Sequence, residues 1–511
     1  MTITDRPGMD RPGTDRPGKD RPQVLLTLSP RDRDQLLAAL VVGLLLVLPL
    51  ALKVPLFTDD FGRSLNGSYD WSKDGRPLAE LMYRFLMLGS DRVMLTSPLG
   101  QLLCLPGMAV SSWLLCRVFG HRAIWAGGLA TVFLFGQPYA LQSLSYSFDA
   151  PLMVVAVLLA LAGAACLVLL KGYSSRVGAV ALIVGSLATY QPANAAYWIV
   201  VLMVLIFPPD AAGRFSWRLL RDLFSCQLLA LLIYKYALFS QLELKDYAAH
   251  HATLPSLIGL PGVLLANTGT YLHRLMDDWW GTQAGLVLVA AALVALVAAC
   301  IASTNGTGWR RLWTVGAKGL MALGVVVLSY GLPLALMHPV FQPRMFVGIG
   351  VVMASLALIA TRAGWRSWWN RIVAVLLAAA AWACITITYA YASAQGAQQA
   401  LNHQVLQSVT QTIQDNGYPT SDFDRVVITG RTPRAPIAEN TFRTIPYLRN
   451  LVKPVKGNWW GHIGLKHQGF RNPFKPLQPE QLDRPRPIAS TSLYSLSRDG
   501  NTLVIHFNDT N

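Results

Sequence analysis

The sequence predicts a polytopic α-helical membrane protein of about eleven transmembrane helices, followed by a small α+β domain outside the membrane. Eleven apolar stretches lie between Leu36 and Tyr391. Hydrophobic residues make up 53% of the chain and charged residues 14%, with a mean hydropathy of +0.38, outside the usual range of a soluble globular chain. Beyond Tyr391 the composition shifts to polar helix-like and alternating strand-like sequence.

Residues 1–35 repeat the units DRPGM, DRPGT, DRPGK and DRP. Rich in Pro and Gly and without an apolar face, they are expected to form a disordered cytoplasmic tail. The first apolar run begins only at Leu36 and is long enough to remain as a span, so no cleavable signal peptide is expected. Spans of roughly 14 to 23 residues, against the ~20 that cross hydrocarbon, are expected at 36–56, 95–117, 123–141, 150–171, 177–190, 193–208, 219–240, 284–302, 318–337, 345–361 and 372–393. The fifth and sixth are short and are divided by Pro192.

Orientation follows from the cations. With the N-terminus inside, the inner loops hold Arg117 with Arg122, Lys171 with Arg176, Arg214 with Arg218 and Arg221, Arg310 with Arg311 and Lys318, and Arg362 with Arg366 and Arg371. Asp210 and Asp222 are the acids among them. The positive-inside bias therefore predicts a cytoplasmic N-terminus and an external C-terminal domain, 394–511. Basic loops beside anionic lipid account for the net charge of +16 without a nucleic-acid partner. The six cysteines fall inside or at the ends of predicted spans and match neither a disulfide framework nor a metal site.

In the C-terminal region, Ala394 to Asn416 is helix-like, Arg425 to Gly430 strand-like, and Thr491 to Phe507 a hairpin turning at Asp499-Gly500. The proline-rich middle, Pro433 to Pro487, is expected to be irregular.

Candidate chemistry lies in the external loops. Thr58-Asp59-Asp60-Phe61 directly follows the first span, and the same loop carries Arg63, Trp71, Asp74, Gly75 and Arg76. Paired acids at a span's outer end suit proton removal from a hydroxyl, or a metal, close to a lipid headgroup. Asp149 heads the fourth span, where it is either a cap or a group facing a cavity. Tyr190-Gln191-Pro192 breaks a helix at membrane depth, either as a plain kink or, as tolerated beside a wet cavity, as part of a sugar site. Lys235 and Arg344 are cations on the acid-rich side; they snorkel to lipid phosphate or form a pair for a lipid-linked phosphate. The loop from Gln241 to Gln283 is expected to hold an interfacial amphipathic segment near Leu254 to Leu275, anchored by Trp279 and Trp280.

Thr-Asp-Asp after span one, the Trp71 to Pro77 run WSKDGRP, LSYSFDA before span four, YQP after span five, YK in span seven and PR before span ten together resemble the serotype-converting O-antigen glucosyltransferases of bacterial and phage Gtr type. The resemblance spans residues 36–393. It implies a GT-C-like catalytic domain in a bacterial inner membrane. It also implies transfer of a hexose, usually glucose, from undecaprenyl phosphate to a surface polysaccharide on the periplasmic face, with a separate donor synthase and flippase as partners. By the same carry-over Asp60 or Asp59 is the base, with Asp60 preferred. Arg76, Lys235 and Arg344 neutralise the departing phosphate, Trp71, Asp149, Tyr190 and Gln191 shape the pocket, and Arg63 is a further substrate-binding candidate. The family pattern has an arginine where this chain has Ser147, and no counterpart of the DRPG repeats.

No nucleotide-binding glycine loop is visible in the inner segments, which disfavours a nucleotide-sugar donor. A divalent metal is left open, since fixed cations suffice for a monophosphate leaving group. A flippase or transporter predicts internal repeats and midplane charges, neither of which is evident. A polysaccharide polymerase or ligase predicts an arginine-rich external loop, whereas Gln241 to Gln283 carries only Arg274.

Overall fold

The computed structural model describes residues 28–209, 215–304, 307–362, 367–457, 459–470 and 485–508. The DRPG repeats lie outside them. Among the described residues seven helices are long and apolar enough to cross a membrane: α1 (Pro30–Lys53), α2 (Leu99–Val118), α4 (Asp149–Leu169), α7 (Trp217–Gln241), α8 (Gln283–Ala302), α9 (Gly308–Leu328) and α11 (Trp368–Asp415). Numbered with them in chain order are four shorter apolar helices, α3 (Trp125–Phe135), α5 (Tyr173–Thr189), α6 (Gln191–Ile206) and α10 (Val347–Ala360). Each of the eleven overlaps one predicted stretch. On α8 the residues Leu286, Val289, Leu293 and Val297 recur at helical spacing and are all exposed, an apolar stripe suited to lipid.

The boundaries differ for physical reasons. α1 starts six residues before the predicted span, because Ser29 and Asp32 form a capping box and Pro30 occupies the first turn. α9 runs about ten residues ahead of its prediction. Arg310 and Arg311 sit in its opening turns and Lys318 is helical, its ammonium donating to the Ser303 carbonyl at 2.6 Å, so these cations line a helix instead of a loop. Gly331, with φ of 80°, and Pro333 stop the helix short of 337. The expected eleventh span and the polar helix after it are one helix of 48 residues. Its C-terminal half turns Val405, Leu406, Val409 and Ile413 under the sheet, so the side-chain pattern changes from apolar to polar along the helix while the backbone continues.

The sheet has the order β1-β4-β3-β2, with β1 (Arg425–Gly430) parallel to β4 (Thr502–Phe507), and β3 (Tyr494–Asp499) antiparallel to both β4 and β2 (Arg486–Ser490). The hairpin turns at Gly500, with φ of 56°. The proline-rich middle is not uniformly irregular: Pro436 opens a helix to Thr444, Pro446 opens a 3₁₀ turn to Asn450, and Trp459–His467 is helical. Proline in a first turn starts a helix, because its missing N–H has no partner there in any case.

Two polar networks mark opposite ends of the bundle. At one, the Gln35 amide donates to the carbonyls of His121 and Ala123, both at 3.0 Å, Arg362 donates to the Pro208 carbonyl at 3.1 Å, and Arg176 pairs with Asp222 at 2.9 Å. The other end gathers the carboxylates, arginines and aromatic residues of the candidate loops. In the long loop, helix Leu260–Trp279 overlaps the expected interfacial segment; it exposes Leu265 and Met276 while burying Asn267, Tyr271 and Asp278. All six cysteines are free and at least half-buried.

Candidate active site

The chain leaves α1 through Pro55 to Thr58, and Thr58 takes a φ of 40°, the left-handed region that a β-branched residue rarely occupies. This turn sets two neighbouring acids in opposite directions on the short helix Asp59–Asn66. Asp60 points inward and is fully buried. Its carboxylate accepts from the backbone N–H of Phe57 at 3.0 Å, of Ser147 at 2.8 Å and of Phe148 at 3.4 Å. It staples the loop after α1 to the segment before α4. Burial pushes its carboxyl up to about 8, with the Ser147 N–H opposing and the Asp149 charge adding.

Asp59 faces the cleft with 42% of its side chain exposed, 3.9 Å from Nη1 of Arg344. Arg344 also donates to the Tyr146 hydroxyl at 2.8 Å and lies over that ring at 5.4 Å. Its backbone is fixed from both sides: its N–H donates to the Gln142 side chain at 2.9 Å, and its carbonyl accepts from the Tyr190 hydroxyl at 2.9 Å. The Thr58 hydroxyl donates to Tyr146 at 3.1 Å, joining the strained turn to the same group.

Asp149 does not cap its own helix. It lies 3.4 Å from Arg63 and accepts from the Trp71 indole N–H. The Arg63 guanidinium is 3.9 Å from the Trp71 ring centroid, and Trp71 stacks on Tyr83 at 4.6 Å. The Asp149 side of this buried pair is thus met by both the guanidinium and the indole N–H, as a buried carboxylate requires.

Arg76 stands over Tyr190 at 4.9 Å. Its loop is clamped where the Gly75 carbonyl accepts from the Tyr234 hydroxyl at 2.7 Å and from Gln191 at 3.1 Å. Gly75 has a φ of 78°, and a Cβ there would stand 2.8 Å from Phe239. Conformation and space both demand glycine. Among the described residues the buried Nε atoms of Arg63 and Arg76 have no hydrogen-bond partner. Asp74, close by, is raised by burial, against the pull of Arg76 and Lys245.

Of the residues singled out from sequence, Asp59, Arg63, Trp71, Arg76, Asp149, Tyr190, Gln191 and Arg344 share this cluster. Asp60 lies beneath it. Lys235 is exposed on a π-helical turn of α7, its ammonium 5.6 Å from the Tyr236 ring; its neighbour Tyr234 turns inward instead. Ser147 offers no group to the cleft, since its hydroxyl donates to the Pro55 carbonyl at 2.5 Å and accepts from Gln101 at 2.8 Å. Sequence reasoning missed the roles of Tyr146, Gln142 and Tyr234; the first sits inside the LSYSFDA run already flagged. Among the described residues no three His, Cys, Asp or Glu side chains gather as metal ligands.

The C-terminal domain closes one side: His467 stands edge-on to Phe61 at 5.4 Å, and Gln399 donates to the Leu56 carbonyl at 2.5 Å.

Comparison with known proteins bears on this arrangement. A Salmonella phage P22 protein, described as an uncharacterized 55.3 kDa protein in the gtrB 5′ region, is 22% identical over 490 residues, covering 93% of this chain and 99% of its own length. No solved structure matches. The family model for glucosyl transferase GtrII matches residues 48–361, more than half of the chain and every residue of the cluster. The chain belongs to the GtrII glucosyl transferase family.

Proposed function

We propose that the chain transfers a hexose, glucose by its family, from an undecaprenyl-phosphate carrier to a surface polysaccharide at the periplasmic face of a bacterial inner membrane. All eleven apolar helices cross in this reading, with the N-terminus cytoplasmic and a GT-C-like arrangement. A donor synthase and a flippase supply the carrier. The observation that carries it is the placement of Asp59, Arg344 and Arg76 in one cleft at the end of the bundle opposite the basic loops.

Asp59 removes the proton of the acceptor hydroxyl as that oxygen attacks the anomeric carbon, and the bond from that carbon to the phosphate oxygen breaks. The polyprenyl phosphate leaves with one more negative charge than it had as a diester. Arg344 and Arg76 meet that charge as it forms, Arg344 being freed from Asp59 once the carboxylate is protonated. Buried, unpartnered N–H groups on Arg63 and Arg76 suit a phosphate acceptor. Asp59 serves as the base in preference to Asp60 because all three polar contacts of Asp60 are backbone N–H groups and it has no exposed surface. Trp71, Asp149, Tyr190 and Gln191 fix the loops that frame the sugar.

Purified protein, a polyprenyl-phosphate-linked hexose and a delipidated polysaccharide test this, with and without chelator. Transfer is expected in the wild type; none with any of several hexoses overturns it in favour of lipid-linked sugar transport or polymerisation.

A further inference from the structure

The outer half of α11 carries an anomaly that the proposed transfer site does not explain. Between Arg371 and Asp415 there is no Asp, Glu, Lys or Arg, although from Ala394 onward the helix is polar. A solvated helix face ordinarily carries charges. Some of the amides there have work in the fold: Gln398 donates to the Pro433 carbonyl at 3.1 Å and accepts from the Ala435 N–H at 2.9 Å, and Gln399 reaches Leu56. Gln404, Gln407, Gln411 and Gln414 are different. All four are exposed, they follow one another at spacings that keep one helical face, and among the described residues their side chains make one hydrogen bond, from Gln411 to Asp415 at 2.8 Å.

We propose that this face docks an uncharged polysaccharide, the acceptor strand of the transfer proposed above, on which reading the proposal rests. Gln407, Ser408, Thr410 and Gln411 line an open groove of about 390 Å³ whose far wall is Gln468. An amide carries two donors and an acceptor; Gln411 uses one donor on Asp415 and Gln468 lies 3.0 Å from the His403 ring, which leaves the remaining groups to complement neighbouring sugar hydroxyls. Uncharged walls in a chain of net charge +16 give a polyanion no preferred seat here. From Gln404 to Gln414 the ladder runs about 15 Å along the helix, the footprint of a strand and not of a single sugar.

The groove also leads to the chemistry. Gln468 follows His467, whose Nε2 lies 3.1 Å from the Phe61 carbonyl, and Phe61 belongs to the same short helix as Asp59. A strand held along α11 is delivered towards the base.

The test uses the full chain in nanodiscs and end-labelled, delipidated bacterial O-polysaccharides, uncharged ones and a polyanionic control, in a binding assay without donor. Wild type is expected to bind at least one uncharged polysaccharide. The double variants Gln407→Ala/Gln411→Ala and Gln407→Glu/Gln411→Glu are expected to weaken that binding about tenfold or more, with an unchanged thermal midpoint. In turnover the same variants should raise KM for the polysaccharide at constant kcat, and leave transfer to a small soluble sugar acceptor as in wild type. Binding unaltered by either double variant, binding of the polyanion alone, or no binding of any uncharged polysaccharide by the wild type overturns the groove. Transfer to the small sugar reads the proposed chemistry separately, so its failure is distinct from failure of docking.

Discussion

Arg344 holds Asp59 and Tyr146 at once: its Nη1 lies 3.9 Å from the carboxylate and donates at 2.8 Å to the phenol. In the proposed transfer this placement would let protonation of Asp59 release the Arg344 guanidinium to the leaving phosphate.

The two adjacent acids separate by this logic. Asp59→Asn is expected to lower transfer by about 10²–10⁴ with an unchanged melting temperature, the range for loss of a general base. Asp60→Asn should lower the melting temperature and reduce transfer only as far as folded protein is lost. Loss of transfer in fully folded Asp60→Asn, with Asp59→Asn active, reassigns the base.

Asp60 also predicts a pH dependence of stability. Its folded carboxyl is pushed up to about 8, while an unfolded chain releases that proton near about 3.9. Between these values the native state binds the extra proton, so stability falls as pH rises and levels off above about 8. Thermal melts of the detergent-solubilised protein from pH 5 to 8 should show this decline in wild type and a flatter profile in Asp60→Asn.

Arg344→Ala is expected to cut kcat/KM for the lipid-linked donor about 100-fold, and Arg76→Ala by a similar order, as for removal of one charge-stabilising donor. Arg344→Lys should recover part of the loss, since a point charge remains but the planar guanidinium that could meet a phosphate with two N–H groups does not. Steady-state kinetics with donor varied at saturating acceptor reads both; an unchanged Arg344→Ala rate removes the phosphate role.

Gly75→Ala should disable the enzyme without touching a reacting group. Left-handed backbone costs an alanine about 1–2 kcal/mol, and its Cβ would press on Phe239. Release of the clamp from Tyr234 and Gln191 moves Arg76. A lower melting temperature with transfer reduced at least tenfold is expected, and wild-type kinetics in this variant would show that the clamp does not position Arg76.

Reporter fusions after Lys171 and after Asn416 should report opposite sides of the membrane, the second external. The same side for both would break the alternating traversal on which the orientation rests.

Much of this was legible in the sequence because hydrocarbon-spanning segments are long and their loops short. The stretches overlap the helices; Asp59, Tyr190 and Arg344 were recognisable as unusual residues at span ends, and Arg76 within the WSKDGRP run of the first loop. Tertiary choices were not legible. Whether Asp60 or Asp59 faces the cleft turns on one strained dihedral at Thr58, and the π-helical turn that swings Tyr234 in and Lys235 out is a local change of pitch with no composition of its own. The Arg63, Trp71 and Asp149 contact joins positions 78 and 86 residues apart, beyond any local pattern. The uninterrupted α11 was hidden because hydropathy falls at the membrane boundary while helical propensity does not.

That unbroken helix has a mechanical consequence. Forty-eight residues make a rod of about 72 Å, anchored in lipid at one end and carrying the sheet at the other. With no hinge along it, the height and rotational phase of the sheet over the bilayer are fixed by counting residues. One residue inserted after Tyr391 advances the outer half by about 1.5 Å and turns it by about 100°, carrying the glutamine ladder away from the bundle mouth, whereas an insertion of about seven residues restores the facing but lifts it by two turns. The helix is the enzyme's ruler.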